Sequence, residues 1–164
     1  MMISRAMNQK LNEQITAEFS AAHAYLAMAC TLDGMGLKIL GKRFLAQHAE
    51  ERDHALKIVR YIQEVGGSVA LEAVAKPLGN HGNVETIVQA ALASEQKITR
   101  AINDLVTLAE SENDYATRSF LNWFVDEQVE EVSYMTDLLS LVQLAGDNVL
   151  QVESRVRHDM AAGG

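Results

Sequence analysis

LGKRFLAQHAEERDHALKIVRYIQEV, residues 40–65, sets Leu40, Phe44, Gln47, Glu51, His54, Ile58, Ile62 and Val65 at steps of three and four residues. That spacing gathers them on one face of an α-helix, the stripe that packs inward. A carboxylate and an imidazole stand in its middle. Three other stretches repeat the arrangement: Leu11, Ile15, Glu18, Ala22, Tyr25, Ala29, Leu32; then Val88, Ala91, Glu95, Ile98, Ile102, Leu105, Ala109; then Leu121, Phe124, Gln128, Glu131, Met135, Leu138, Val142. Each carries a glutamate where an apolar residue belongs. A carboxylate inside such a stripe loses most of its hydration and must be neutralised or paired. Four carboxylates and one histidine cannot neutralise one another. A pair of metal ions can.

The rest of the chain agrees with a helical protein. Its 164 residues suffice for one domain with a substantial core, and 48% hydrophobic against 5% aromatic residues with a single proline favours helices over sheet. A net charge of −8 excludes the basic footprint of a nucleic-acid binder. One cysteine, Cys30, excludes an internal disulfide framework and any paired-cysteine metal or redox motif. Cys30 is expected to pack within its helix as a small apolar side chain. The opening residues lack an apolar signal core and no stretch approaches membrane-spanning length, so the expectation is a cytoplasmic protein with no membrane partner.

Helices are expected over about 4–33, 37–65, 84–110 and 114–145, with a short fifth over about 148–160 striped by Val149, Val152, Val156 and Met160. The first and third connections are short, so each flanking pair forms an antiparallel hairpin. Residues 66–83 hold the only proline, Pro77, and four glycines. Extended, that segment reaches ~60 Å, whereas the helices are ~40–45 Å long. It can travel the length of the bundle and leave the second and third helices parallel. The expected fold is all-α: a four-helix bundle over 4–145 with a long crossover and a fifth C-terminal helix, 1–164 forming one domain.

Glu18, Glu51, Glu95 and Glu131 each lie within about three residues of the midpoint of their helix, which puts them in one thin layer. Glu51 and His54 form an E-x-x-H step, i and i+3 on one helical face, able to reach the same ion. Di-iron bundles use this step with a single glutamate from each of the other helices. Oxygen-rich ligation with one imidazole suits iron or manganese better than a zinc or copper thiolate site. Glu131 stands where a second histidine would complete a symmetric site. One ion would therefore take Glu18, Glu51 and His54, and the other Glu51, Glu95 and Glu131, with Gln128 ligating weakly or hydrogen-bonding a bound oxygen.

These residues, together with Leu11-Asn12-Glu13-Gln14, His48-Ala49-Glu50-Glu51, Ser94-Glu95-Gln96 and Trp123-Phe124-Val125-Asp126-Glu127-Gln128, resemble the haem-free bacterial ferritins over nearly the whole chain. The resemblance implies a twenty-four-subunit hollow shell that oxidises Fe(II) with O₂ or hydrogen peroxide at two irons per subunit and mineralises the Fe(III). It further implies a third iron at Glu50, Glu127 and Glu130, against the alternative that these are solvated acids. The bacterioferritins carry a haem-binding methionine where this chain has Arg52, so no haem is expected. Tyr25, two turns after Glu18, is expected to hydrogen-bond a ligand or to donate an electron to a reactive oxygen intermediate, the alternative being an ordinary buried tyrosine whose hydroxyl finds a partner. Trp123 is expected to be core packing, and His23, His48, His81 and His158 surface or interface residues. A di-iron oxidase acting on an organic substrate, and a bundle with protonated or paired glutamates and no catalysis, are the rival readings.

Overall fold

The computed structural model describes residues 2–79 and 81–163; Met1 and Gly164, at the ends of the expected domain, and Asn80 of the crossover lie outside the described residues. Five helices follow one another: α1 (Arg5–Gly34), α2 (Lys38–Glu64), α3 (Val84–Ser111), α4 (Tyr115–Ala145) and α5 (Val149–Ala162). No strand occurs among the described residues. The boundaries follow local chemistry. Ser4 Oγ accepts from the Met7 amide at 2.9 Å, Asp114 Oδ1 from the Thr117 amide at 3.0 Å, and Asn83 and Thr86 cap α3 reciprocally. Gly66 ends α2 in the left-handed region, φ 73°, where a side chain would be strained.

Hydrogen bonds at the ends fix the topology. The Met2 amide donates to the Val65 carbonyl at 2.8 Å, Ser4 Oγ to Glu112 at 2.8 Å, and Arg118 to Glu110 at 2.9 Å. The start of α1, the end of α2, the end of α3 and the start of α4 therefore share one end of the bundle. Gln143 reaches Glu85 at 3.0 Å at the opposite end. So α2 finishes at one end, α3 begins at the other, and the crossover runs the full length between them.

Two asparagines of α1 tie the start of that crossover down. Asn8 accepts from the Ser68 amide at 2.9 Å and donates to its carbonyl at 3.1 Å, while Asn12 accepts from the Ala70 amide at 2.6 Å. Gly67 lies beneath them: a Cβ there would meet Asn8 Oδ1 and come within 2.9 Å of Ile62 Cγ2.

The apolar core falls into two clusters. One contains Leu11, Ile15, Ile58, Ile62, Ile102, Leu105, Leu121 and Phe124; the other contains Met28, Leu32, Leu40, Phe44, Val88, Met135 and Leu138. Met28 and Met135 pack in the core. Between the clusters lies the layer of glutamates.

Candidate metal centre

All four stripe glutamates are buried, at 0 to 4% exposure, and His54 and Gln128 are buried with them. Each sits at the centre of a long helix whose backbone bonds leave the side chain as the only variable, so the bundle fixes their positions from four directions. On the α1–α2 side, His54 Nδ1 lies 3.5 Å from Glu51 Oε2 and 3.8 Å from Glu18 Oε2. Ligand atoms of Glu18, Glu51 and His54 lie within 4.8 Å of one another. Glu18 Oε2, Glu51 Oε2 and His54 Nδ1 are all sealed from solvent and have no hydrogen-bond partner. Three polar atoms left unsatisfied around one point in a dry interior fit a cation, which supplies what no protein donor does. This trio is the one the stripe spacing predicts for the first ion.

The α3–α4 side is arranged differently. The Tyr25 hydroxyl donates to Glu95 Oε1, and Gln128 Nε2 lies 3.3 Å from Glu95 Oε2, 3.2 Å from the Glu95 carbonyl and 3.2 Å from Thr99 Oγ1. Glu131 Oε2 accepts from Gln47 Nε2 at 2.7 Å. The expected second trio of Glu51, Glu95 and Glu131 is not drawn together; His54, Glu127 and Glu131 converge within 4.8 Å instead. Neutral donors already occupy the carboxylate oxygens of Glu95 and one of Glu131. Tyr25 does hydrogen-bond a site carboxylate. Gln128 hydrogen-bonds Glu95.

Burial dominates the electrostatics. It pushes the carboxyls of Glu51 and Glu95 up to about 7 and that of Glu131 to about 8, the neighbouring glutamates adding to the rise. Burial opposes charge on His54 too, but Glu18 and Glu51 outweigh it and raise the imidazole to about 10. Desolvation, with the Glu95 charge beside it, raises the Tyr25 phenol well above 10, so at neutral pH it is a neutral donor. These groups hold protons more readily than free carboxyls, and a cation bound among them would compete with those protons.

The remaining candidates divide. Glu127 is half-buried, with Oε1 4.0 Å from His54 Nε2; Glu50 is half-buried beside Arg43, and Glu130 is exposed. Among the described residues the three do not converge as a metal trio of their own; Glu127 instead joins His54 and Glu131. Trp123 corrects the expectation of core packing: it is 38% exposed, its indole edge-on to His54 at 5.3 Å and covered by the Lys57 ammonium at 4.2 Å. Cys30 is exposed and not packed, because it falls just off the stripe that ends Ala29, Leu32. His23 and His158 are exposed; His48 is half-buried, Nδ1 lying 2.8 Å from the Ala22 carbonyl across the α1–α2 seam. Two site residues escaped the sequence reading, Gln14 and Gln47. Gln14 donates to Glu18 Oε1 at 2.8 Å, and Gln47 donates to both Glu51 and Glu131. The signal was present: each stands four residues before a stripe glutamate, and Gln47 is itself a stripe position.

Residues 8–145 match the ferritin family, described as a ferritin-like domain. The chain is 35% identical over 154 residues to ferritin BfrB of Mycolicibacterium smegmatis, covering 94% of this chain and 85% of that protein. It is 37% identical over 147 residues to the bacterial non-heme ferritin of Staphylococcus aureus, covering 90% and 89%. Among solved structures it resembles an open pore ferritin from the hyperthermophilic archaeon Archaeoglobus fulgidus, with a TM-score of 0.92, 35% identity, and 94% and 96% of the two chains covered. Sequence and fold agree over the whole bundle, and the chain belongs to the ferritin family.

Proposed function

We propose that this ferritin stores and detoxifies iron by oxidising Fe(II) inside each bundle and holding the Fe(III) as a hydrated oxide within a hollow homo-oligomeric shell. The observation that carries this reading is the trio of buried, partnerless atoms Glu18 Oε2, Glu51 Oε2 and His54 Nδ1. Glu18 and His54 hold the first iron, Glu51 is shared, and Glu95 and Glu131 hold the second, with Gln128 beside it. The second iron has to displace the donors that Tyr25 and Gln128 place on Glu95, so it binds after the first and less tightly.

Hard anionic oxygens favour Fe(III) over Fe(II) and so drive the oxidation. Each of two Fe(II) ions gives one electron to O₂; the resulting peroxide takes two protons from iron-bound water and leaves as hydrogen peroxide. Hydrogen peroxide in turn accepts one electron from each of two further Fe(II) ions and, with two protons, becomes water. Tyr25, hydrogen-bonded to Glu95, orients that ligand of the second iron. Glu50, Glu127 and Glu130 take a third iron on the path to the inner cavity, an ion having to draw the three together. The acidic surface and the non-heme ferritin among the relatives support iron as the substrate. Exposed Leu45, Leu71, Leu78 and Leu144 on the single chain support assembly with further copies, as a cytoplasmic shell of twenty-four.

Anaerobic titration with Fe(II), followed by air, tests the proposal through ultraviolet absorbance and particle size. Rapid oxidation of two irons per chain in a particle on the order of 400 kDa is the expected result. A small dimer, or no oxidation above that of buffer, overturns it.

A further inference from the structure

Two buried glutamines stand one helical turn before two of the stripe glutamates, and each commits its amide to one oxygen of its neighbour. Gln14 Nε2 donates to Glu18 Oε1 at 2.8 Å, and Gln47 Nε2 to Glu51 Oε1 at 3.1 Å. In both glutamates the other oxygen, Oε2, is the one left without a partner. Gln47 does more. The same Nε2 donates across the bundle to Glu131 Oε2 at 2.7 Å, joining α2 to α4. It is fully sealed from solvent, at 0% exposure. An ionised carboxylate accepts and never donates, so with a cation bound the amide must present its nitrogen to both glutamates. Its oxygen, Oε1, is then left buried with no donor.

Resting on the di-iron reading above, we propose that Gln47 is a positioning residue for the second iron, holding Glu51 and Glu131 at a fixed separation through one amide. Gln14 has the corresponding role for the first iron alone, since the one carboxylate its amide holds is that of Glu18. Gln47 Oε1 is bonded to the same carbon as Nε2 and so borders the same space. A water carried in on the second iron supplies the donor that this oxygen lacks in the protein itself. The division of labour follows from the geometry: each glutamine selects which carboxylate oxygen turns to the metal, and only Gln47 bridges the two sides.

Stepwise binding of Co(II), which O₂ does not oxidise under these conditions, separates the two ions in the assembled protein. In the native protein two steps per chain are expected. Gln47→Met, which keeps the volume and removes the amide, should weaken the second step at least about tenfold, the size of effect that partners orienting metal ligands carry, and the first distinctly less. The first step shares Glu51 but keeps Glu18 and His54. Gln14→Met should weaken the first step. Gln47→Asn, too short to span Glu51 and Glu131, should reproduce the Gln47→Met result if the methionine variant fails to assemble. Equal weakening of both steps by a Gln47 variant marks a merely structural residue and overturns the proposal, as does no change in the second step. Failure of the native protein to bind two Co(II) per chain would instead remove the di-iron reading itself.

Discussion

His54 divides its ring between two neighbourhoods: Nδ1 faces Glu18 and Glu51, while Nε2 faces Glu127. Its proton and those of the glutamates make the stability of the metal-free protein depend on pH in one direction. Unfolded, a glutamate titrates near 4.5; in the fold Glu51 and Glu95 titrate near 7 and Glu131 near 8. The folded chain retains protons that the unfolded chain has already lost, so their stabilisation is complete below about 4.5 and is lost as pH rises through about 8. His54 has the same sign over a later window, complete below 6.5 and lost as pH rises through about 10. The Tm of the chelated protein should therefore fall steadily from pH 5 to pH 9 in scanning calorimetry. A divalent cation competes with those same protons, so the rise in Tm it produces should grow with pH. A metal-induced rise as large at pH 5 as at pH 8 would contradict this account. The stripe spacing exposes these candidate ligands in the sequence because a charged residue at an inward position has few reasons to be there. It does not expose Gln47, since a glutamine in a stripe looks like a tolerated polar residue until its partner on another helix is known.

At the scale of the element, α2 begins without a capping side chain of its own, Leu37 standing at its N-cap. The cap comes from α5. Glu153 Oε1 accepts from the Leu40 amide at 2.6 Å and Oε2 from the Ile39 amide at 3.1 Å, a carboxylate against the positive end of a helix dipole. Val152 and Val156 are buried beside it, so α5 docks back on its own bundle, against α2 and α4. The valine stripe of α5 is legible in sequence, and a fourteen-residue helix is marginal without docking. Where it docks is not legible, because Glu153 reads as an ordinary solvated acid and its partners are more than a hundred residues away. The same applies to the tie between Asn8, Asn12 and the crossover. Glu153→Ala should cost about 1–3 kcal/mol, the loss of a charged cap with two backbone donors left unsatisfied, and Glu153→Gln less. Limited proteolysis should then cut within α5 of the alanine variant while leaving α1 to α4 intact. Equal resistance of α5 in native and alanine forms would show that the two valines suffice.

At the scale of the whole molecule, the glutamate layer interrupts what would otherwise be one continuous apolar core, leaving a cluster on either side. The bundle's architecture was readable from helix periods, loop lengths and the single long connection, since each follows from local chemistry and chain reach. What could not be read was the asymmetry of the centre, with open ligands on the α1–α2 side and satisfied ones on the α3–α4 side, because it depends on which donors the packing brings together. The layer trades stability for a binding site. Glu131 shows the trade most clearly, because its carboxyl is raised furthest among the glutamates with a resolved value and its charge opposes those of Glu95 and Glu51. Glu131→Gln keeps the shape and an acceptor for Gln47 but removes the charge. In the metal-free particle it should leave Tm unchanged at pH 5, where Glu131 already carries a proton, and raise it at pH 9, by ~2–4 °C for each kcal/mol of relieved repulsion. The same variant should lose the second ion and with it rapid oxidation of Fe(II), while still binding the first. If Glu131→Gln lowered Tm at pH 9, the carboxylate would be stabilising the bundle in its own right and the layer would need no cation to account for it.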